Sequence, residues 1–148
     1  MIDGWPQFSD AVVSYDFIKK LAYHYIKRSQ QAICMMMSEP ENWHIKLMVG
    51  NDTLHSCEGS YKVWDGDTDE ILSHGNFVSA ANASIEVDSI RISHGDQRLM
   101  LIEWIVDGVR SVNHYILGMP PLSFNRYKGW LKKIAELDGA FDPKQVGK

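Results

Sequence analysis

The stretch "LMLIEWIVDGVRSVNHYIL", residues 99–117, constrains this chain more than any other. Two apolar runs flank the pair Asp107-Gly108. Such a pair fits a two-residue type I′ turn, which needs positive φ at both central positions. That turn twists in the same sense as the strands it joins. Residues 98–106 and 109–117 therefore read as a β-hairpin. A lone hairpin cannot bury its apolar side in water, so the chain must supply more strands.

The sequence between residues 31 and 92 supplies them. In "WHIKLMVG" the period is two: Trp43, Ile45, Leu47 and Val49 share one face, and His44, Lys46 and Met48 the other. Five further strands are expected at about 31–38, 43–50, 56–65, 70–78 and 85–92. The turn-forming stretches "SEPEN", "GNDT", "DGDTD", "AANAS" and "SHGD" separate the strands. In "SIEVDSIRI" the apolar parity slips from Ile85 and Val87 to Ile90 and Ile92, which predicts a bulge or a change of sheet. Seven short strands predict a mainly β fold, an immunoglobulin-like seven-stranded β-sandwich.

A helix is expected on each side of it. Over residues 14–29, Ile18, Leu21, Ala22 and Tyr25 form one apolar stripe, with Ser14 or Asp16 as cap. After "GMPPL", Ser123 suits the N-cap of a helix over about 124–137, with Phe124, Tyr127, Leu131 and Ile134 as its stripe.

Charge and composition narrow the function. With 15 basic against 19 acidic side chains, the net charge of -4 argues against a nucleic-acid partner, which needs a clustered positive face. The longest apolar run, "AICMMM", is too short to span a bilayer, and no membrane partner is expected. Met1 is followed by no basic-then-apolar leader. The compartment stays open, tilted toward the cytoplasm. Cys34 and Cys57 read as free buried thiols, with a single bridge as the alternative.

No constellation in the sequence carries chemistry by itself. The six histidines (His24, His44, His55, His74, His94 and His114) are scattered without ligand spacing, so no metal and no cofactor is expected. Glu39, Glu41 and Glu70 lie in or beside turns, and Glu58, Glu86 and Glu103 on strands, where solvent-facing positions explain them. A catalytic carboxylate pair is not expected among them. Asn51 and Asn82 begin glycosylation-type triplets that read more simply as turns. Asn113, His114 and Tyr115 are expected to hydrogen-bond to the adjoining loop and helix. The aromatics Trp43, Trp64, Trp104 and Trp130 read as core, with an exposed sugar-ring platform as the rival.

The opening "IDGWPQFSDAVVSYDFIKKLAYHYIKRSQQ" resembles the end of the catalytic barrel in glycoside hydrolase family 2, closest to its β-mannosidase-like members. Asp3-Gly4-Trp5-Pro6 matches the Asp-x-Trp-Pro motif of that barrel's eighth strand, while Ser14-Tyr15-Asp16 matches the following Asp-Tyr imperfectly. Lys20 and residues 23–25 fit the eighth helix, "VGNDTLHSCEGSYKVWD" looks like the family's C-terminal sandwich, and "NHYILGMPPLSFNRYKGWLKKI" like its end. The resemblance implies three segments: residues 1–30 closing the barrel, 31–118 forming the sandwich, and 119–148 forming a helix and tail. It implies that Trp5 is a sugar platform and Asp3 a neighbour of the pocket. The family's two catalytic glutamates lie on earlier barrel strands. A whole barrel takes on the order of 250 residues, so no residue here inherits a catalytic role. The expected function is a non-catalytic accessory fragment of a retaining β-glycosidase. Its expected partners are the rest of the barrel, carbohydrate through the parent enzyme, and a second copy through the first helix. The alternative is a free-standing carbohydrate-binding or protein-interaction module.

Overall fold

The computed structural model describes Ile2 and residues 11–137. The chain divides into two compact units, residues 1–31 and 32–148.

Among the described residues of the first unit one helix is formed, α1 (Leu21–Ser29). The sequence predicts a longer helix from residue 14, and the backbone shows why it starts late. Phe17 adopts a left-handed φ of 63°, which no helix interior accepts. The Ser14 amide and hydroxyl both donate to the Ile18 carbonyl, and the hydroxyl also bonds Asp16. Val13 bridges Lys19 in antiparallel fashion. Ser14 and Asp16 thus close a loop instead of capping a helix, and Lys20 is the N-cap without a side-chain cap bond. The buried side chains of α1 are His24 and Arg28, four residues apart on one face. Ile18 and Leu21 of the expected stripe are exposed: the loop takes Ile18 out of the helix and leaves Leu21 at its first position.

Among its described residues the second unit has seven strands and one helix: β1 (Ile33–Met37), β2 (His44–Asn51), β3 (Cys57–Asp65), β4 (Ile71–Ser79), β5 (Ala83–Arg91), β6 (Arg98–Val106), β7 (Val109–Leu117) and α2 (Phe124–Glu136). They form two antiparallel sheets, ordered β1-β2-β5 and β4-β3-β6-β7. The fold is the mainly β sandwich that the alternating pattern predicts. Asp107 and Gly108 have φ of 51° and 75°, and Val106 pairs with Val109, as a type I′ turn requires. The parity slip in β5 is a bulge. Leu47 pairs with Asp88 but Met48 pairs with Glu86, so Val87 is the extra residue. With the bulge at Val87, Ile85 before it and Ile90 and Ile92 after it pack on the same core as Val87.

That core lies between the sheets. Ile45, Leu47 and Val49 of β2 meet Tyr61 and Val63 of β3 and Met100, Ile102 and Trp104 of β6. Gly59 sits where β3 passes β6, because a Cβ there would stand 2.5 Å from the Ile105 carbonyl oxygen. The sheets are also tied at both edges. The Ser73 hydroxyl of β4 bonds Asp88 of β5, and the Asn113 amide of β7 donates to the Met35 carbonyl of β1 at 3.0 Å. Asn113 thus bonds across the sandwich, not to the loop or helix expected from sequence. The reason is its register position on an edge strand facing β1.

A second core explains the unbroken apolar run in β6. Its other face, Leu99 and Leu101 with Val112 of β7, packs on Trp130, Ile134 and Leu137. The stripe of α2 is therefore rotated from the expected one. Phe124 is exposed with the Lys128 ammonium 4.4 Å from its ring centre, and Trp130 is buried. Ser123 caps α2 by accepting from the Arg126 amide, as expected. Asp67, in the β3–β4 turn, clamps the helix. It accepts from Trp130 Nε1 at 2.8 Å and from Arg126 Nη2 at 2.7 Å. Burial raises the Asp67 pKa, but the Arg126 and Trp130 hydrogen bonds and the Arg126 and Lys133 charges outweigh it and hold the carboxyl below its ordinary value.

Cys34 and Cys57 are buried thiols that form no disulfide with each other, and burial pushes both up. Asn51 is fully buried. It donates to the His55 and Ala80 carbonyls and accepts from Thr53, so this triplet is turn chemistry. Among the described residues no helix is long and apolar enough to cross a membrane.

Candidate functional site

A two-residue turn before β2 presents the least buried tryptophan of the second unit. Glu41 and His44 exchange backbone hydrogen bonds of 2.8 and 2.9 Å across Asn42 and Trp43. Both central residues have positive φ, 50° and 65°, the arrangement of a type I′ turn. Asparagine is a common occupant of such a position. A bulky residue in the second place is an outlier, where glycine is usual. Holding an L-residue there costs roughly 1–2 kcal/mol.

The sequence places Trp43 in the core on strand parity. The structure corrects this. Strand β2 begins one residue later, and the left-handed turn swings the indole outward, leaving it 59% exposed. Trp104 and Trp130 are buried as expected, and Trp64 is half-buried beside the second core under the Lys62 ammonium.

A second loop faces Trp43. The Ser93 amide donates to Asp96 Oδ2 at 2.7 Å, and Arg98 Nη2 donates to the same oxygen at 3.3 Å. This fixes the loop that carries His94, whose ring centre lies 6.1 Å from that of Trp43 at an interplanar angle of 53°. The end of β5 joins the two loops, since the Ile92 amide donates to the Trp43 carbonyl at 2.9 Å. Between them lies an open hollow of about 450 Å³, lined by Asn42, Trp43, His44, Arg91, Ile92, Ser93 and His94. The His44 Nδ1 is 2.9 Å from the Asn42 carbonyl oxygen, which holds that ring against the turn. The lining combines one large aromatic face with amide, hydroxyl, imidazole and guanidinium groups. No carboxylate is among these lining residues.

The glutamates on strands are elsewhere. Glu86 pairs with Lys46 at 3.3 Å, Glu103 with Arg110 at 2.6 Å, and Glu58 is exposed. Asp3 and Trp5, the sugar-contacting residues implied by the resemblance, lie outside the described residues. Sequence reasoning missed His94 because scattered histidines carry no spacing signal. It misplaced Trp43 because "SEPEN" was read as the whole turn. The signal for the turn was Asn42 directly before Trp43.

No family model matches the chain, and no curated protein matches it. Solved structures do resemble it. The chain is similar to part of a β-D-mannosidase from Dictyoglomus thermophilum, with a TM-score of 0.62 and 19% identity over 79% of this chain. It is also similar to part of a β-glucuronidase from Parabacteroides merdae, with a TM-score of 0.38 and 10% identity over 60% of this chain and 13% of that one. The chain spans 15% of the mannosidase's length, and at this identity the mannosidase likeness establishes a shared fold.

Proposed function

We propose that this chain is a C-terminal accessory β-sandwich of a family 2 glycoside hydrolase, β-mannosidase-like in type, and that it is not catalytic alone. The observation that carries this reading is the fold shared with a β-D-mannosidase of which the chain matches only 15%. The Asp3-Gly4-Trp5-Pro6 motif supports it from the sequence side. In this reading residues 1–30 close the barrel, with Trp5 as a sugar platform and Asp3 beside it. The sandwich supports a barrel that hydrolyses β-glycosides and supplies both catalytic glutamates from other strands. The exposed Ile18 and Leu21 would meet the remainder of the barrel, or a second copy when the chain is alone.

The experiment is an immunoblot of source-cell extract with an antibody to this chain, paired with an aryl β-mannoside assay of the purified chain. A band several times larger than 16.9 kDa with no turnover by the chain is expected. A band at the size of the chain, or enzyme-like turnover, refutes the reading. A free-standing carbohydrate-binding module is the second reading, and the exposed Trp43 is the observation that favours it.

A further inference from the structure

We propose that the hollow between Trp43 and His94 binds one pyranose ring of a neutral oligosaccharide, with the Trp43 indole as its platform. The inference does not depend on a glycosidase parent, because every residue in it belongs to the sandwich unit.

Three observations converge. The first is the strained backbone. A tryptophan held at φ 65° where glycine would sit without strain is a conformation that persists only when its surroundings over-determine it, and such positions cluster at binding sites. The second is rigidity. The Glu41–His44 pair and the Ile92 bond to the Trp43 carbonyl fix the platform, while Asp96 fixes the facing loop. A ligand therefore meets a preformed surface.

The third observation is the chemistry of the lining. A pyranose has an apolar C–H face and a rim of hydroxyls. The indole matches the face. Asn42, Ser93 and Arg91 supply donors and acceptors at the rim. Among the described residues Arg91 makes no ion pair, so its guanidinium is not committed within the sandwich. The volume of about 450 Å³ lies within the usual range for small-ligand sites.

The test is NMR titration of the ¹⁵N-labelled full chain with β-1,4-mannohexaose and, separately, cellohexaose. Saturable shifts confined to residues 42–44 and 91–94 are expected with at least one of them. The dissociation constant should be on the order of 0.1–10 mM, as suits a single-ring site of weak affinity. Trp43→Gly, which removes the platform but suits the turn, should weaken binding at least ~10-fold with the rest of the spectrum unchanged. Arg91→Ala should weaken it by a smaller factor. No saturable shift with either oligosaccharide, shifts centred elsewhere, or unchanged affinity in Trp43→Gly would each overturn the proposal. Binding in this assay together with a blot band at the size of the chain would retain the site and remove the glycosidase parent.

Discussion

Replacing Asp67 by alanine tests how α2 is held. Trp130 is 1% exposed, and its indole N–H has Asp67 Oδ1 as acceptor at 2.8 Å. Removing the acceptor leaves a buried donor unsatisfied, at about 1–3 kcal/mol. The Arg126 ion pair adds little. Its side chains are 42% and 34% exposed, and such pairs contribute about 0–1 kcal/mol. A total near 2–3 kcal/mol follows, so Tm should fall by roughly 5–10 °C in a domain of this size. Thermal and urea melts followed by circular dichroism measure it. The decisive control is the Trp130→Phe background, where the indole N–H is already gone. There Asp67→Ala should cost only about 1 kcal/mol or less. An equal cost in both backgrounds would refute the clamp. Acid adds a second check. Asp67 has its folded pKa below the unfolded value of about 3.9. It therefore stabilises fully above that value and loses the contribution as pH falls through the folded pKa. The stability gap between the parent and Asp67→Ala should narrow below about pH 4.

Other substitutions and probes reach different parts of the fold. Gly59→Ala drives a methyl into the Ile105 carbonyl and Val106, and should cost about 1–3 kcal/mol or more in a urea melt. Trp104→Ala empties the inter-sheet core and should cost about 3–5 kcal/mol, read as a lowered urea midpoint. Trp43→Gly relieves the left-handed strain and should raise stability by up to about 1 kcal/mol; a loss of that size would show that the indole is structural. Cys34 and Cys57 should react slowly with a disulfide reagent at pH 8 and rapidly in denaturant, since burial keeps both protonated.

The sandwich was legible in the sequence because its information is local. Period-two alternation, the Asp107-Gly108 turn and the parity slip at Val87 each follow from backbone geometry over a few residues. What escaped depended on contacts between distant segments. In the rotated stripe of α2, Trp130 is buried and donates its N–H to Asp67, which is 63 positions away in the chain. Helix α1 shortened because Ser14 and Asp16 bond each other and Ile18 in competition with helix formation. The hollow was invisible for the same reason: Trp43 and His94 meet only after β2 and β5 pair.

The ties between the two sheets bear on solubility. β1 reads Ile-Cys-Met-Met-Met and lies at a sheet edge, the kind of uncharged apolar segment that recruits further chains into stacked sheets. It is only five residues long. The Asn113 amide occupies its Met35 carbonyl from the opposite layer. On the other open side Ser73 and Asp88 join the layers through their side chains and leave the backbone edge unoccupied. The Asn113 bond spans the gap between layers and engages a backbone carbonyl, so a strand docking on β1 would have to displace it before joining the ladder. On this account Asn113 guards the protein against fibril growth as much as it holds the sandwich shut.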